Sequence, residues 1–143
     1  MKKITYITLL FATILFASCE KYKVEYDQAP QVEFKPITVT LAKGTTTTPG
    51  RTTVLVQLIG PHQSSDISVP YTIDAASTAV AGTHFTASTT GTVTIPAGSS
   101  TGSIVITAMP ENVPSARRLI LVLSDGGTLP VSPNYRRSTI TIQ

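Results

Sequence analysis

The sequence predicts an all-β protein, folded as an antiparallel β-sandwich of about seven strands. Three observations lead to this class. Several short segments alternate apolar and polar residues with a period of two, as in Ile67 to Ile73. Glycine, proline and asparagine pairs separate these segments at short intervals. No stretch after residue 17 keeps a helical period, and threonine and valine are frequent throughout.

The predicted strands follow one another from residue 31 to the end of the chain. Segments 54–59 and 119–123 are almost continuously apolar, which predicts central strands of the sandwich. Alternating segments predict further strands at 67–73, 92–95, 103–107 and 138–142. Proline has no N–H group to donate to a neighbouring strand, so Pro70 predicts that its strand lies at an edge or is bulged.

The N-terminal segment has the layout of a secretory signal peptide. Two lysines precede the uncharged, largely apolar residues 4–17, and small residues precede Cys19, the only cysteine. This arrangement resembles the lipobox of bacterial lipoproteins. The resemblance implies removal of residues 1–18, a lipid on Cys19 and anchoring in a bacterial cell envelope. The expected location is the outer membrane, at the cell surface or on the periplasmic face.

Two alternatives for this segment stay open. A transmembrane helix needs roughly 20 apolar residues, more than positions 4–17 supply. An ordinary signal peptide would leave Cys19 as an incidental thiol. A lone cysteine cannot form an internal disulfide in an oxidising compartment, and lipidation accounts for its presence. Membrane attachment through Cys19 is therefore the favoured interpretation.

The mature chain is expected to consist of two parts. Residues 19–30 are polar and charged, and they predict a tether of at most about 36–40 Å when fully extended. Residues 31–143 form the predicted sandwich domain. The chain has 11 basic and 8 acidic residues, and removal of Lys2 and Lys3 leaves 9 basic and 8 acidic. This near balance argues against nucleic-acid binding, which requires a clustered basic face.

Segment 67–106 resembles the centre of a Calx-beta module. The residues that carry the likeness are Ala79-Val80-Ala81-Gly82-Thr83-His84-Phe85 and Ile95-Pro96-Ala97-Gly98-Ser99-Ser100. The likeness extends over nearly all of residues 31–143. It implies an immunoglobulin-like sandwich, a fold that also occurs in surface lipoproteins of the Bacteroidota.

The positions where calcium-binding members of that family carry acidic ligands hold other residues here. These positions are occupied by Ala42, Lys43, His84, Arg117 and Arg118. Calcium takes about six to eight oxygen ligands, and mainly Asp74 and Glu111 are left to supply them. We therefore expect no calcium site, no other metal site and no cofactor.

The sequence offers little support for catalysis. His62 and His84 both lie in predicted loops, and the chain has no Gly-x-Ser-x-Gly motif. The carboxylates are scattered singly, so no pair suited to glycoside hydrolysis is evident. We expect a protein that is not an enzyme and has no catalytic residues. A hydrolase using His84 is the least favoured alternative.

The sequence contains two pairs of adjacent arginines, which could form one anion site if they lay close together. Arg117-Arg118 begins one predicted strand, whereas Arg136-Arg137 precedes the next. In antiparallel strands the start of one lies beside the end of the other, so the pairs should lie at opposite ends. Arg136 and Arg137 should instead lie near Asp125.

The loop of residues 124–135 is the predicted binding loop, because long loops commonly carry function in sandwiches. Tyr135 is the best-placed aromatic residue for stacking on a sugar, with Asn134 and Asp125 as polar neighbours. The favoured function is a non-enzymatic, lipid-anchored envelope module for adhesion, scaffolding or accessory binding, with an envelope protein as partner. The alternative is a carbohydrate-binding surface lipoprotein that holds a polysaccharide through Tyr135.

Overall fold

The computed structural model describes residues 29–143, which form nine strands and one short 3-10 helix. The strands are β1 Gln31–Lys35, β2 Thr38–Leu41, β3 Arg51–Ile59, β4 Ile67–Ile73, β5 Phe85–Ala87, β6 Thr92–Ile95, β7 Thr101–Ala108, β8 Arg117–Leu123 and β9 Arg137–Ile142. The 3-10 helix is Pro110–Asn112. The predicted leader, Cys19 and most of the predicted tether lie outside these residues. Within them, no helix has the length and apolar character needed to cross a bilayer.

The strands form two sheets, in the orders β1-β3-β7-β5 and β2-β9-β8-β4-β6. Neighbouring strands are antiparallel except β2 and β9, which are parallel. The predicted all-β sandwich is therefore confirmed. The described residues hold nine strands instead of about seven because the first strand divides near Pro36 and the short β5 forms on its own.

The core lies between the sheets and follows the alternation of the strands. In β3 the buried positions are Val54, Val56 and Leu58, whereas the residues between them are only partly buried. Strand β8 is apolar on both faces and lies between β9 and β4. The continuous apolar runs of β3 and β8 thus correspond to interior strands, as predicted.

Of the two alternatives predicted for Pro70, an edge strand or a bulge, the edge strand is wrong. Strand β4 lies between β8 and β6. The pairing of β4 with β8 covers only Tyr71 to Ile73. Pro70 lies just beyond this ladder, where its carbonyl accepts a hydrogen bond from the Ser124 N–H at 2.9 Å. Its missing N–H therefore falls outside the ladder, and the strand can be internal.

The two ends of the sandwich are built from different segments. We call the end where the described chain begins the entry end, formed by residues 29–30, 60–66, 96–100 and 124–132. The opposite end, formed by residues 42–50, 74–84 and 109–118, is the far end. The strand registers fix this division, since Gln31 pairs with Ile59 and Arg117 pairs with Ile142.

The registers also confirm that the arginine pairs lie at opposite ends of β8 and β9. Arg117 is opposite Ile142, and Arg137 is opposite Val122. Arg136 forms the expected ion pair with Asp125. Arg137 instead pairs with Asp74, with 2.8 Å between the guanidinium and carboxylate atoms.

Candidate functional site

The predicted binding loop is a fixed element that joins the two sheets. The Thr128 N–H donates to the Ser68 carbonyl of β4 at 3.1 Å. The Val32 N–H of β1 donates to the Pro130 carbonyl at 2.9 Å, and the Ser132 N–H returns a bond to Val32 at 2.9 Å. Strands β4 and β1 belong to different sheets, so the loop closes the entry end across both layers.

The three predicted ligand residues lie on this loop with different surroundings. Tyr135 is 44% exposed, and its carbonyl accepts a hydrogen bond from the Phe34 N–H at 2.9 Å. Asn134 is exposed as well. The Asp125 carboxylate is engaged by Arg136, the residue after Tyr135. The loop thus presents an aromatic ring and an amide to solvent on a fixed backbone, but it does not line either of two cavities found beside β5 and β6.

An apolar groove of about 480 Å³ opens between the sheets beside β4 and β5. Its apolar lining includes Tyr71, Ile73, Phe85 and Leu121, and no charged residue takes part. The Tyr71 hydroxyl donates to the Thr89 carbonyl, which fixes the ring against one wall. A second, more polar cavity of about 350 Å³ lies between β6 and β7 and is lined largely by threonine and serine.

Sequence reasoning missed the groove because the alternation of β4 puts Ile73 on the same face as Ile67, Val69 and Tyr71, which predicts that it is buried. Ile67, Val69 and Tyr71 are buried, but Ile73 is 43% exposed. The reason is that β6 pairs with β4 only as far as Pro70, so the last residues of β4 have no strand beside them on that side. The difference in length between the two strands indicates that part of β4 is left unpaired, since β6 has four residues and β4 has seven.

The histidines take part in loop hydrogen bonds. His84 Nδ1 accepts a bond from the Val80 N–H at 2.9 Å, which closes a turn. His62 Nε2 lies 2.7 Å from Ser100 Oγ, a pairing that sequence reasoning did not identify. Within residues 29–143 no carboxylate is hydrogen-bonded to His62, and the nearby Asp66 accepts from the Ala97 N–H. The pair therefore lacks the third group that orients the base in a catalytic triad.

The far end carries cations where the Calx-beta resemblance implies carboxylates. The Lys43 ammonium donates to the Val113 carbonyl at 2.6 Å and so occupies the space beneath segment 109–116. The Arg117 Nε atom is buried and has no hydrogen-bond partner within residues 29–143. In the same part of the chain, no three histidine, cysteine, aspartate or glutamate side chains lie close enough to hold a metal ion.

Comparison with known proteins gives structural neighbours but no sequence relatives. No protein-family model matches the chain, and a search of curated protein sequences finds no significant match. The apo form of the Calx CBD1 domain superposes with a TM-score of 0.61 at 22% identity, covering 80% of this chain and 96% of that one.

Two further neighbours are CBD12 of CALX1.2 and the calcium-binding domain CBD12 of CALX1.1. Each has a TM-score of 0.61 at 21% identity and covers 78% of this chain and 43% of the other. At this identity the likeness establishes the fold. The chain therefore has a Calx-beta-like, immunoglobulin-type β-sandwich fold.

Proposed function

We propose that this protein is a non-enzymatic, lipid-anchored binding module of a bacterial cell envelope, serving adhesion, scaffolding or accessory binding. The observation that carries this is the relation between the two parts of the chain. The lipobox-like segment ends at Cys19, and the sandwich begins at Gln31, at the entry end. A lipid on Cys19 therefore leaves the far end directed away from the membrane.

A lipid on Cys19 would attach the protein stably to the membrane. Each buried CH₂ of an acyl chain contributes about 0.8 kcal/mol, and two or more chains anchor a protein stably. The polar residues between Cys19 and the first strand allow the sandwich to stand clear of the surface. The uncharged groove beside Ile73 and the far-end segments are then the accessible surfaces, and an envelope protein is the proposed partner.

Calcium binding, which the name of one structural neighbour describes, is not part of the proposed function. Lys43 places an ammonium group at this end, where it donates to the Val113 carbonyl, whereas a calcium ion requires about six to eight oxygen ligands. Asp74, one of the few carboxylates near this end, is paired with Arg137. A divalent cation would meet positive charge here with few anionic ligands to offset it.

Intact-mass spectrometry of the protein purified from the membrane of its host tests the anchor. We expect a mass equal to residues 19–143 plus a lipid on Cys19. A Cys19→Ser variant should then remain as an uncleaved precursor or appear without lipid. An unmodified Cys19 in the wild-type protein, whether in the precursor or in a chain cleaved elsewhere, would contradict the proposal.

Carbohydrate binding through Tyr135 is the second candidate function. It is supported by the exposed Tyr135 ring and the exposed Asn134 amide on a loop held by backbone hydrogen bonds. A fixed aromatic platform beside an amide suits stacking and hydrogen bonding to a sugar. Tyr135→Ala should abolish retention on insoluble polysaccharide, whereas Val80→Ala, which removes a comparably exposed apolar side chain at the far end, should not. Equal retention by both variants would eliminate this candidate.

A further inference from the structure

We propose that the far end contains a binding site for an oxyanion, such as a phosphate or a sugar carboxylate, formed by Lys43 and Arg117. The placement of this site on a surface turned away from the membrane rests on the proposed function. Oxyanion binding itself depends only on the fold, and it is tested separately from lipid attachment.

Backbone hydrogen bonds place Lys43 at one position of a row of residues across the far end. The Lys43 N–H donates to the Gln143 carbonyl at 2.7 Å, and the Lys43 carbonyl accepts from the Gly50 N–H at 2.8 Å. Gly50 directly precedes Arg51, the first residue of β3. Lys43 is thus held between the start of β3 and the end of β9.

Arg117 completes the row on the other side of β9. Leu41 and Arg117 are both register partners of Ile142, so they lie two strand spacings apart, about 10 Å. Leu41 is buried in the core, and Lys43 follows it by two residues, which places Lys43 on the same face. Arg117 shares the inward face of β8 with the buried Leu119. Both long side chains therefore lie on the inward face, on either side of β9 at the seam between the sheets.

The Arg117 side chain gives an independent reason to expect a ligand. Its Nε atom is buried and makes no hydrogen bond within the described chain. A buried donor without an acceptor costs free energy, more so when the group is charged. An oxyanion at the seam would accept this bond and form the paired contacts that a guanidinium offers to carboxylate and phosphate.

The charge balance of the far end fits the same ligand. Lys43, Arg51, Arg117 and Arg118 form no ion pair within residues 29–143, where the two ion pairs are Asp125–Arg136 and Asp74–Arg137. Glu111 is the remaining carboxylate of the far end, and it is exposed. The excess of positive charge therefore attracts an anionic group, and the half-buried Lys43 and Arg117 localise it.

Calorimetric titration of the full-length protein in a non-ionic detergent tests the site. Sodium phosphate and sodium glucuronate are titrated separately, with sodium chloride at matched ionic strength as the reference. We expect saturable binding of at least one of the two oxyanions, and the stronger ligand identifies phosphate or carboxylate as the source. Binding of neither above the chloride reference would overturn the proposal.

Variants separate a defined site from general positive charge. Arg117→Gln and Lys43→Gln should each weaken binding about tenfold or more, as expected for loss of a hydrogen bond to a charged group. Arg118→Gln is the matched control, because it removes the same charge from the next, exposed residue of β8 and should change affinity by less than about twofold.

Arg117→Lys keeps the charge but loses the guanidinium fork, so binding should weaken although the net charge is unchanged. Circular dichroism of each variant shows that it is folded. Equal losses with Arg117→Gln and Arg118→Gln, or unchanged affinity in Arg117→Lys, would show diffuse attraction and overturn the defined site.

Discussion

The two ends of the sandwich differ in how their loops connect the sheets and in how their charged side chains are paired. At the entry end, the loop of residues 124–135 crosses from one sheet to the other, and Asp125 neutralises Arg136. At the far end, the Lys43 ammonium donates to the Val113 carbonyl and the Arg117 Nε atom is buried without a partner, and neither side chain forms an ion pair within residues 29–143. At the entry end the loop connects the two sheets and the charge of Arg136 is paired. At the far end the positive charges of Lys43 and Arg117 are available to an anionic ligand. The comparison teaches that the loop of residues 124–135 has a structural role in joining the two sheets, so its length alone is weak evidence for a binding site.

The largest expected effect comes from Gly50, which allows the close approach of chains at the far end. A Cβ atom at Gly50 would lie 1.7 Å from the Ala42 carbonyl oxygen. Gly50→Ala must therefore displace the backbone that holds Lys43, and we expect it to lower the free energy of unfolding by about 3 kcal/mol. Urea denaturation measures this change.

Gly98→Ala at the entry end provides the control for that substitution. Gly98 has a φ of +72° but open space around its Cβ position. Its replacement should cost only the strain of a left-handed conformation, about 1–2 kcal/mol. A loss at Gly98 as large as that at Gly50 would mean that the close approach at the far end contributes nothing specific.

The next effect in size is a gain of stability. Arg117→Leu removes the buried Nε atom that lacks a partner, so it should raise the free energy of unfolding by about 1 kcal/mol in buffer without oxyanions. Saturating phosphate or glucuronate should stabilise the wild-type protein and reduce this difference. A destabilised Arg117→Leu variant would show that the guanidinium contributes favourable contacts in the unliganded protein.

A smaller effect is expected at the entry end. Asp125→Asn breaks the ion pair with Arg136, in which the two side chains are 76% and 36% exposed. Exposed ion pairs contribute about 0–1 kcal/mol, so the thermal midpoint should change little. A large loss of stability would show that this pair, and not the backbone hydrogen bonds, holds the loop in place.

The smallest expected effect is that of calcium. Millimolar calcium chloride should leave the melting temperature of the protein equal to that in magnesium chloride, because the far end offers cations where a calcium ion requires oxygen ligands. Differential scanning fluorimetry measures both. A saturable rise specific to calcium would contradict this expectation, because a ligand that binds only the folded state raises its stability.

The sandwich was predictable because its strands obey simple local rules. The alternation in β4, β7 and β9 identifies the inward residues, and the continuous apolar runs of β3 and β8 identify interior strands. What could not be predicted depends on pairing between distant segments. The exposure of Ile73 arises because β6 begins only opposite Pro70, and no property of β4 alone contains that fact.

The candidate sites show the same division. Tyr135, Asn134 and Asp125 could be named from loop length and residue type, and their binding role stays a prediction. The placement of Lys43 and Arg117 on either side of β9 could not be foreseen, because 74 positions of sequence separate them and the pairing of Leu41 and Arg117 with Ile142 depends on the whole sheet. The opposite placement of the arginine pairs was predictable, because it follows from the antiparallel arrangement of two consecutive strands.

The position of β9 has a consequence for the order in which the strands can pair. This strand is inserted between β2 and β8, and its parallel pairing joins Leu41 to Ile142 across most of the domain. The second sheet cannot be completed until the segment around Ile142 has been synthesised. Pairing between strands that are distant in sequence also forms slowly. In a chain with this topology, β2 therefore lacks its only partner strand in the sheet until β9 is available.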